Sequence, residues 1–334
     1  MYPNTYYAAT RREPSDHPPF AGAARARVVV VGGGYAGLAT ALGLAERGVH
    51  DVVLLESAAI GFGASGRNGG FVFSGYSLDE EALLQQLGGS EARWMYELTR
   101  QAVRSIRARI DRYSIDCDPV DAGVIWANWF DDPSILEQRR TLLAQHYGST
   151  WTTLDGAELR TQLCTSRYHG ALFEADAFHV HPLNLALGLA RAAQQLGVRV
   201  HAQSPVVAIE RRAGAWHVST DQGTVIAEHV VVAGGGYLRG LAPALQRSVL
   251  PIATYVAVTE PLGARLQDSI RTRAAIYDTR FAFDYYRVLN DSRLLWGGRI
   301  SILNRSPQAV ARLLTRDIAR VYPQLADVRI DYAW

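Results

Sequence analysis

The 334-residue chain contains no lysine, and all 34 of its basic side chains are arginine. That absence excludes lysine Schiff-base catalysis, covalent pyridoxal phosphate and a Walker-type phosphate loop, each of which needs a primary amine. Cysteine is almost absent too. Cys117 and Cys164 stand 47 positions apart with neither CxxC nor Cys/His spacing, which argues against structural zinc or a disulfide framework and for buried thiols of a reducing compartment. Excess charge is also lacking: 34 basic against 32 acidic residues leave +2, so neither nucleic acid nor another polyanion is implied as a partner. Residues 1–26 carry Arg11, Arg12, Glu13 and Asp16 but no apolar h-region, unlike a secretory signal, and the cytoplasm is the default location. The best candidate for a membrane span, residues 28–45, is interrupted by Gly32, Gly33, Gly34, Gly37 and Gly43. Those glycines suit a strand, turn and helix better than the ~20 apolar residues of a span.

What is present reads as an ordinary globular protein, 48% apolar and long enough for about two domains at roughly 150 residues each. The β-branched run 28–31 breaks on three glycines, helix formers occupy 36–46 as far as Gly48, and a second apolar run, 51–55, closes at Glu56. This is a βαβ unit of the parallel, doubly wound α/β kind. Met95, Leu98, Ala102, Ile106, Ile110 and Tyr113 recur at three or four positions, predicting a long amphipathic helix over 91–113, packed beside the βαβ unit. From 117 to 181 the pattern changes to short strand-like pieces with one helix, about 133–146. Pro182 then opens a helix that stops at Gly197, followed by 198–201, a meander around Asp221-Gln222-Gly223 and a buried run at 230–233. After Pro251 strands dominate again, at 252–259, 281–288 and 293–296. The expected division is a discontinuous α/β domain, 1–116 with 182–245, and a second α+β, mainly antiparallel domain, 117–181 with 246–334. No internal repeat is found.

The first glycine run, Gly32-Gly33-Gly34-Tyr35-Ala36-Gly37, fits GxGxxG through Gly32, Gly34 and Gly37, directly after a strand and opening a helix. The first glycine permits the turn, the second lets backbone approach a pyrophosphate and the third lets helix pack on strand. The pyrophosphate would rest on the helix N-terminus. Glu56, 19 positions after Gly37, stands where an acid binds a ribose hydroxyl. A second small-residue loop, Gly63-Ala64-Ser65-Gly66-Arg67-Asn68-Gly69-Gly70, begins seven positions after Glu56. Its glycines would admit a flat ring, and Ser65, Arg67 and Asn68 offer donors. That loop favours FAD over NAD, whose enzymes have no evident need of it.

With these two loops, Tyr6-Tyr7-Ala8-Ala9-Thr10, Ser204-Pro205-Val206, residues 230–237, Pro251-Ile252-Ala253-Thr254-Tyr255, Thr259-Glu260-Pro261-Leu262, Asp284-Tyr285-Tyr286-Arg287 and Leu294-Leu295-Trp296-Gly297-Gly298, the chain resembles the D-amino-acid-oxidase-type FAD-dependent oxidoreductases, and within them the gamma-glutamylputrescine oxidoreductase branch, over nearly its whole length. The resemblance implies a glutathione-reductase-type FAD-binding domain beside an α+β substrate domain. It implies Gly32, Gly34, Gly37 and Glu56 around the ADP half, Ser65, Gly66, Arg67, Asn68, Gly69 and Gly70 running from the phosphates to the flavin, the Val206 backbone at the adenine, and Gly234 and Gly235 closing the site. Some sarcosine-oxidase-type relatives use a lysine to activate oxygen and a cysteine to bind flavin covalently. Here there is no lysine and neither cysteine has a matching context, so non-covalent FAD is expected. The family also has a glycine-rich C-terminal stretch that returns to the FAD domain; this chain ends at Trp334 within an alternating strand, 328–332, and reads as truncated.

The implied reaction is oxidation of an amine or amino acid by hydride transfer to flavin N5, with hydrolysis of the imine and oxygen as acceptor. A base is useful because free amines have pKa values near ~10. His179 and His181, expected at the domain junction, are candidates, against the alternative of histidines that start a helix or fill a core. As a metal pair they lack further ligands, and no metal is expected. Tyr255, Tyr285 and Tyr286 can build an aromatic wall attractive to ammonium or can be plain core. Arg287 or Arg280 can pair with a substrate carboxylate or serve a structural ion pair. The competing functions are a dehydrogenase passing electrons to a quinone or protein acceptor, an inactive truncated fragment and, more distantly, an NAD-linked dehydrogenase.

Overall fold

The valines at 28–31 form the buried end of a ten-residue strand, Gly22–Val31, in the computed structural model, which describes residues 1–13, 16–238, 240–302 and 305–334. Two compact units are present. The first comprises Met1–Asn68, Arg109–Cys117 and His181–Pro251, the second Gly69–Ala108, Asp118–Val180 and Ile252–Trp334.

In the first unit a six-stranded sheet runs in the order Arg199–His201, Val52–Leu55, Gly22–Val31, Gly223–Val232, Ala215–Thr220 and Val206–Arg212. The first four strands are parallel and the last two continue as an antiparallel meander. Parallel strands with both faces covered read as unbroken apolar runs, which is why 28–31 and Val52–Leu55 stand out in the sequence. The central strand begins earlier than its valines because Gly22 to Ala26 pair with Gly223 to Ala227. Likewise the run at 230–233 is the end of Gly223–Val232, and its valines are half-buried where full burial was expected. Valine content reports β propensity; how much covers each face depends on distant segments.

The helix Tyr35–Glu46 buries Leu38, Ala41 and Leu42, and the helix Pro182–Gln195 buries nearly its whole length. The long helix is Gly89–Arg112. Its last turn, counted with the first unit, holds the βαβ helix: Arg109 donates to both oxygens of Glu46, 3.2 and 2.6 Å away, and the Tyr113 hydroxyl donates to Oε1 at 3.1 Å.

The second unit is built on an eight-stranded sheet in the order Ile330–Ala333, Ala253–Thr259, Leu294–Ser301, Tyr285–Val288, Ala275–Asp278, Val124–Ala127, Ala171–Glu174 and Thr152–Leu154. All neighbours are antiparallel except Ala275–Asp278 beside Val124–Ala127. The expected strand over 281–288 starts only at Tyr285. The Asp278 carboxylate accepts the backbone N–H groups of Arg280 and Asp284 at 2.9 and 3.1 Å, which bends 279–284 into a loop. The helix expected over 133–146 is Ser134–Leu142, widening into a π-turn at Leu143–Tyr147. Amphipathic Pro307–Val321, capped by Ser306, buries Val310, Leu314, Ile318 and Val321 along one face.

The centre of this unit is a buried aromatic group. Tyr286 stacks on Trp296 with ring centroids 4.2 Å apart, and its hydroxyl meets those of Tyr168 and Tyr322 at 3.2 and 3.1 Å. Tyr286→Phe leaves both neighbouring hydroxyls short of a buried partner, and we expect a loss of about 1–3 kcal/mol in urea unfolding, with the cooperativity of the transition unchanged.

Candidate functional site

At the C-terminal end of Gly22–Val31 the first unit opens into a cleft of about 510 Å³, within the range of small-molecule sites. Its walls are the Gly32 to Gly34 turn, Glu56 to Ala58, Phe62 to Ser65, Pro205 and Val206, and Ala233 to Leu238. Gly32 is at φ +118°, and a Cβ there would lie 2.5 Å from the Ala233 oxygen. A Cβ on Gly37 would lie 1.9 Å from the Gly32 oxygen, so helix and strand approach as only glycine allows. Gly34 caps the helix Tyr35–Glu46 without a side chain, leaving the helix start facing a space that an anion would fill favourably.

Glu56 serves this cradle by bracing it. Oε2 accepts the Gly33 N–H at 2.6 Å, while Oε1 accepts the Ala58 N–H at 2.8 Å and the Ser57 hydroxyl at 3.2 Å. Ser65, on the short 3₁₀ turn Ala64–Gly66, accepts the Tyr35 N–H at 2.9 Å. Gly66 has no room for a side chain, since its Cβ would lie 2.2 Å from the Gly61 oxygen. Arg67 donates to the Gly63 oxygen at 3.1 Å and to the Tyr237 hydroxyl at 2.7 Å. The Asn68 amide donates to the Ala64 and Ser65 oxygens, and its own carbonyl accepts from the Tyr7 hydroxyl at 2.9 Å. Val206, Gly234 and Gly235 all line the cleft.

His181 lies in this unit and caps the helix Pro182–Gln195. Its Nδ1 accepts the Asn184 N–H at 3.1 Å, which leaves the proton on Nε2, 3.1 Å from the Thr10 hydroxyl. The Tyr7 ring packs edge-on against it at 4.8 Å.

In the second unit Gly69 and Gly70 meet His179, Arg287 and Tyr285. Arg287, buried, donates to the Gly69 oxygen at 2.7 Å, the Val180 oxygen at 2.8 Å and His179 Nδ1 at 3.1 Å. Arginine only donates, so His179 carries its proton on Nε2 and gives it to the Arg273 oxygen at 2.9 Å. Burial, and next the Arg287 charge, push the His179 pKa down to about 3. Gly70 is at φ +81°, and a Cβ there would lie 2.2 Å from the Val180 oxygen.

Of the three candidate tyrosines, Tyr255 and Tyr286 lie in the core, while Tyr285 is partly exposed. Its ring covers the backbone of Gly297, where a Cβ would lie 2.1 Å away. It belongs to a ladder of rings, Phe71 to Tyr285 at 5.7 Å, Tyr285 to Phe283 at 6.3 Å, Phe283 to Tyr277 at 5.6 Å and Tyr277 to Phe73 at 5.3 Å. Phe73 and Phe283 remain exposed at the end and middle of the ladder. Sequence reasoning missed Phe71, Phe73, Tyr277 and Phe283 because they come from two segments some two hundred residues apart; the alternation Phe71-Val72-Phe73 was the one local signal. Arg280 is held by Asp278 and Asp284 at 2.6 and 2.7 Å, with its guanidinium 3.7 Å from the Trp129 ring centre. Among the described residues no group of three or more His, Cys, Asp or Glu could hold a metal, and no helix is long and apolar enough to cross a membrane.

Fold and cleft together define a dinucleotide-binding α/β unit joined in sequence to an antiparallel α+β unit. Residues 27–334 match the family described as FAD dependent oxidoreductase, abbreviated DAO, and the chain belongs to it. It is 38% identical over 333 residues to gamma-glutamylputrescine oxidoreductase of Escherichia coli K12, covering 99% of this chain and 78% of that protein. It is 33% identical to the probable oxidoreductase OrdL of Haemophilus influenzae, covering 99% of this chain and 77% of that one. Among solved structures, glycine oxidase from Geobacillus kaustophilus superposes with a TM-score of 0.73 at 21% identity, over 93% of this chain and 82% of that one. L-proline dehydrogenase from P. horikoshii gives 0.73 at 16% identity, over 93% and 80%. These two show the fold. The glycine-walled cleft and the helix start capped by Gly34 fit the ADP half of the family's FAD.

The His179 geometry predicts a pH effect on stability. The unfolded chain protonates this histidine near 6.5 and the folded chain only near 3, so between these values the unfolded state binds more protons. Stability from this group is full above pH 6.5 and falls on acidification by up to about 1.4 kcal/mol per pH unit. Asp284, which burial pushes up to about 6 against the pull of Arg280, acts in the opposite sense. The contribution of His179 is therefore read from the difference between wild type and His179→Gln, whose stability gap should narrow as pH falls from 6.5 towards 4.

Proposed function

We propose that the first unit holds FAD non-covalently and that the second unit carries the substrate side of an enzyme oxidising a C–N bond of an amine or amino acid. The observation that carries this reading is the glycine-walled cleft at the end of the central strand, in a chain of the FAD dependent oxidoreductase family. When bound, FAD would accept a hydride from the carbon beside the nitrogen, leaving an imine that water hydrolyses. The chain's own residues bind and orient. The backbone of Gly32 and Gly34 and the helix start receive the diphosphate, Glu56 and the Val206 backbone face the ribose and adenine, and Gly234 and Gly235 border the site. Ser65 to Gly70 lead towards the flavin ring.

On the substrate side the ring ladder that includes Tyr285 offers π faces to an ammonium group and apolar surface to an alkyl chain. This favours an amine, as does the 38% identity to a protein named for gamma-glutamylputrescine. His179 and Arg287, each hydrogen-bonded to backbone carbonyls, act as positioning residues for Gly69 and Gly70, and His181 does the same for the helix start after it. Oxygen is the acceptor in this reading. The lack of lysine favours a second, in which a quinone or protein takes the electrons. A cytoplasmic location is the reading that goes with two cysteines that lack CxxC or Cys/His spacing.

The test is the visible spectrum of the purified chain, then anaerobic addition of amines. We expect a yellow protein that releases free FAD on heating and bleaches with alkyl amines. Return of colour on admitting air identifies oxygen as acceptor; colour that returns only with a quinone identifies the second reading. A colourless protein that takes up no FAD overturns the proposal. Tyr285→Leu should lower kcat/KM for an alkyl amine roughly three- to thirtyfold while leaving the flavin spectrum intact.

A further inference from the structure

The cofactor cleft of the first unit has two walls that are joined by one side chain. One wall is Phe62 to Ser65, continuing to Arg67; the other is the turn after Gly223–Val232, Ala233 to Leu238. Tyr237 spans them. Its ring lies against Gly63, where a Cβ would be only 3.1 Å from Cε2, and its hydroxyl accepts from Arg67 Nη2 at 2.7 Å. Arg67 is itself aimed by the Gly63 oxygen and by the Phe62 ring, 5.7 Å from its guanidinium. Although Tyr237 is so held, it is 50% exposed, and the two residues before it have room where side chains would stand. Gly235 is at φ +53° with nothing within 4 Å of a Cβ position, and Gly236 would meet only Pro251, at 3.7 Å. A bulky ring on three successive glycines, fastened at its tip to the opposite wall, has the construction of a latch with a hinge.

We propose that Tyr237 is a gate residue of the cofactor cleft: it swings on Gly235 and Gly236 to admit the dinucleotide and closes through Arg67 and Gly63 to retain it. A side chain at Gly63 would press on the ring in its closed position. This rests on the FAD reading above. A gate governs traffic in both directions, so loosening it raises the rates of uptake and of release together. A residue that only contacts the cofactor changes release alone, and one that only supports the fold lowers the melting temperature of the cofactor-free chain.

The experiment is stopped-flow flavin fluorescence with the full chain stripped of cofactor and mixed with FAD, and the reverse measurement of release into excess apoflavodoxin as a trap. Tyr237→Phe keeps the ring and removes the latch, and should raise both rates roughly three- to tenfold. Gly236→Ala adds a methyl group in ordinary van der Waals contact and stiffens the hinge, so both rates should fall. Melting of the cofactor-free variants should match wild type. Wild-type rates in both variants, or a change in release alone, overturn the gate while leaving FAD binding established. A wild-type chain that takes up no FAD overturns the cofactor reading and the gate with it.

Discussion

The contact between Gly37 and the Gly32 carbonyl is the constraint from which the first unit is built. A Cβ at Gly37 would lie 1.9 Å from that oxygen, so the helix Tyr35–Glu46 can start where it does only because residue 37 is glycine. The close approach sets the helix N-terminus at the end of the central strand, and the cleft forms in front of it. Other elements brace the same turn: Glu56 receives the Gly33 N–H, Ser65 receives the Tyr35 N–H and Ala233 passes within the space a Gly32 side chain would need. The site is thus largely backbone, and the side chains around it act chiefly to keep that backbone in place.

The polar residues that look chemically equipped in the sequence are mostly occupied in this way. His181 is a helix cap, Arg287 gathers two carbonyls and an imidazole, and Asn68 closes its own loop while Tyr7 fastens it from the N-terminal helix. A chain without lysine makes arginine its sole permanently charged donor, and the rigid guanidinium fork suits such bracing. The same group also stacks. Arg139 lies over Trp126 and Trp151 while pairing with Glu80, and Arg167 and Arg280 both approach the Trp129 ring. These arginines add cation–π contact to the ordinary burial of aromatic area.

The parallel strands, the helix between them and the glycine turn are legible in sequence because each rests on a local rule. A run such as 28–31 must be apolar on both faces, and Gly37 must be glycine wherever helix meets strand this closely. Tyr285 and Tyr286 show where local rules stop. Adjacent in one strand, they point to opposite faces; one joins a partly exposed ladder with Phe71 and Phe283, the other stacks on buried Trp296. Alternation says that they differ but leaves open which is inside. The strand expected at 281 likewise gives way to a loop because Asp278, outside the run, captures the N–H groups of Arg280 and Asp284.

From the sequence alone came the family, the βαβ opening, the two glycine loops and the acid at Glu56, all features carried by residues within about one supersecondary unit. Only the tertiary structure decided which histidine caps a helix and which is held neutral by burial and by Arg287, which tyrosine reaches the surface, and that Tyr237 stands across from Arg67. The physical reason is range: glycine spacing and apolar period act between near neighbours, whereas burial, protonation and hydrogen-bond partnership depend on segments a hundred or more residues away, as the 108 positions between His179 and Arg287 show.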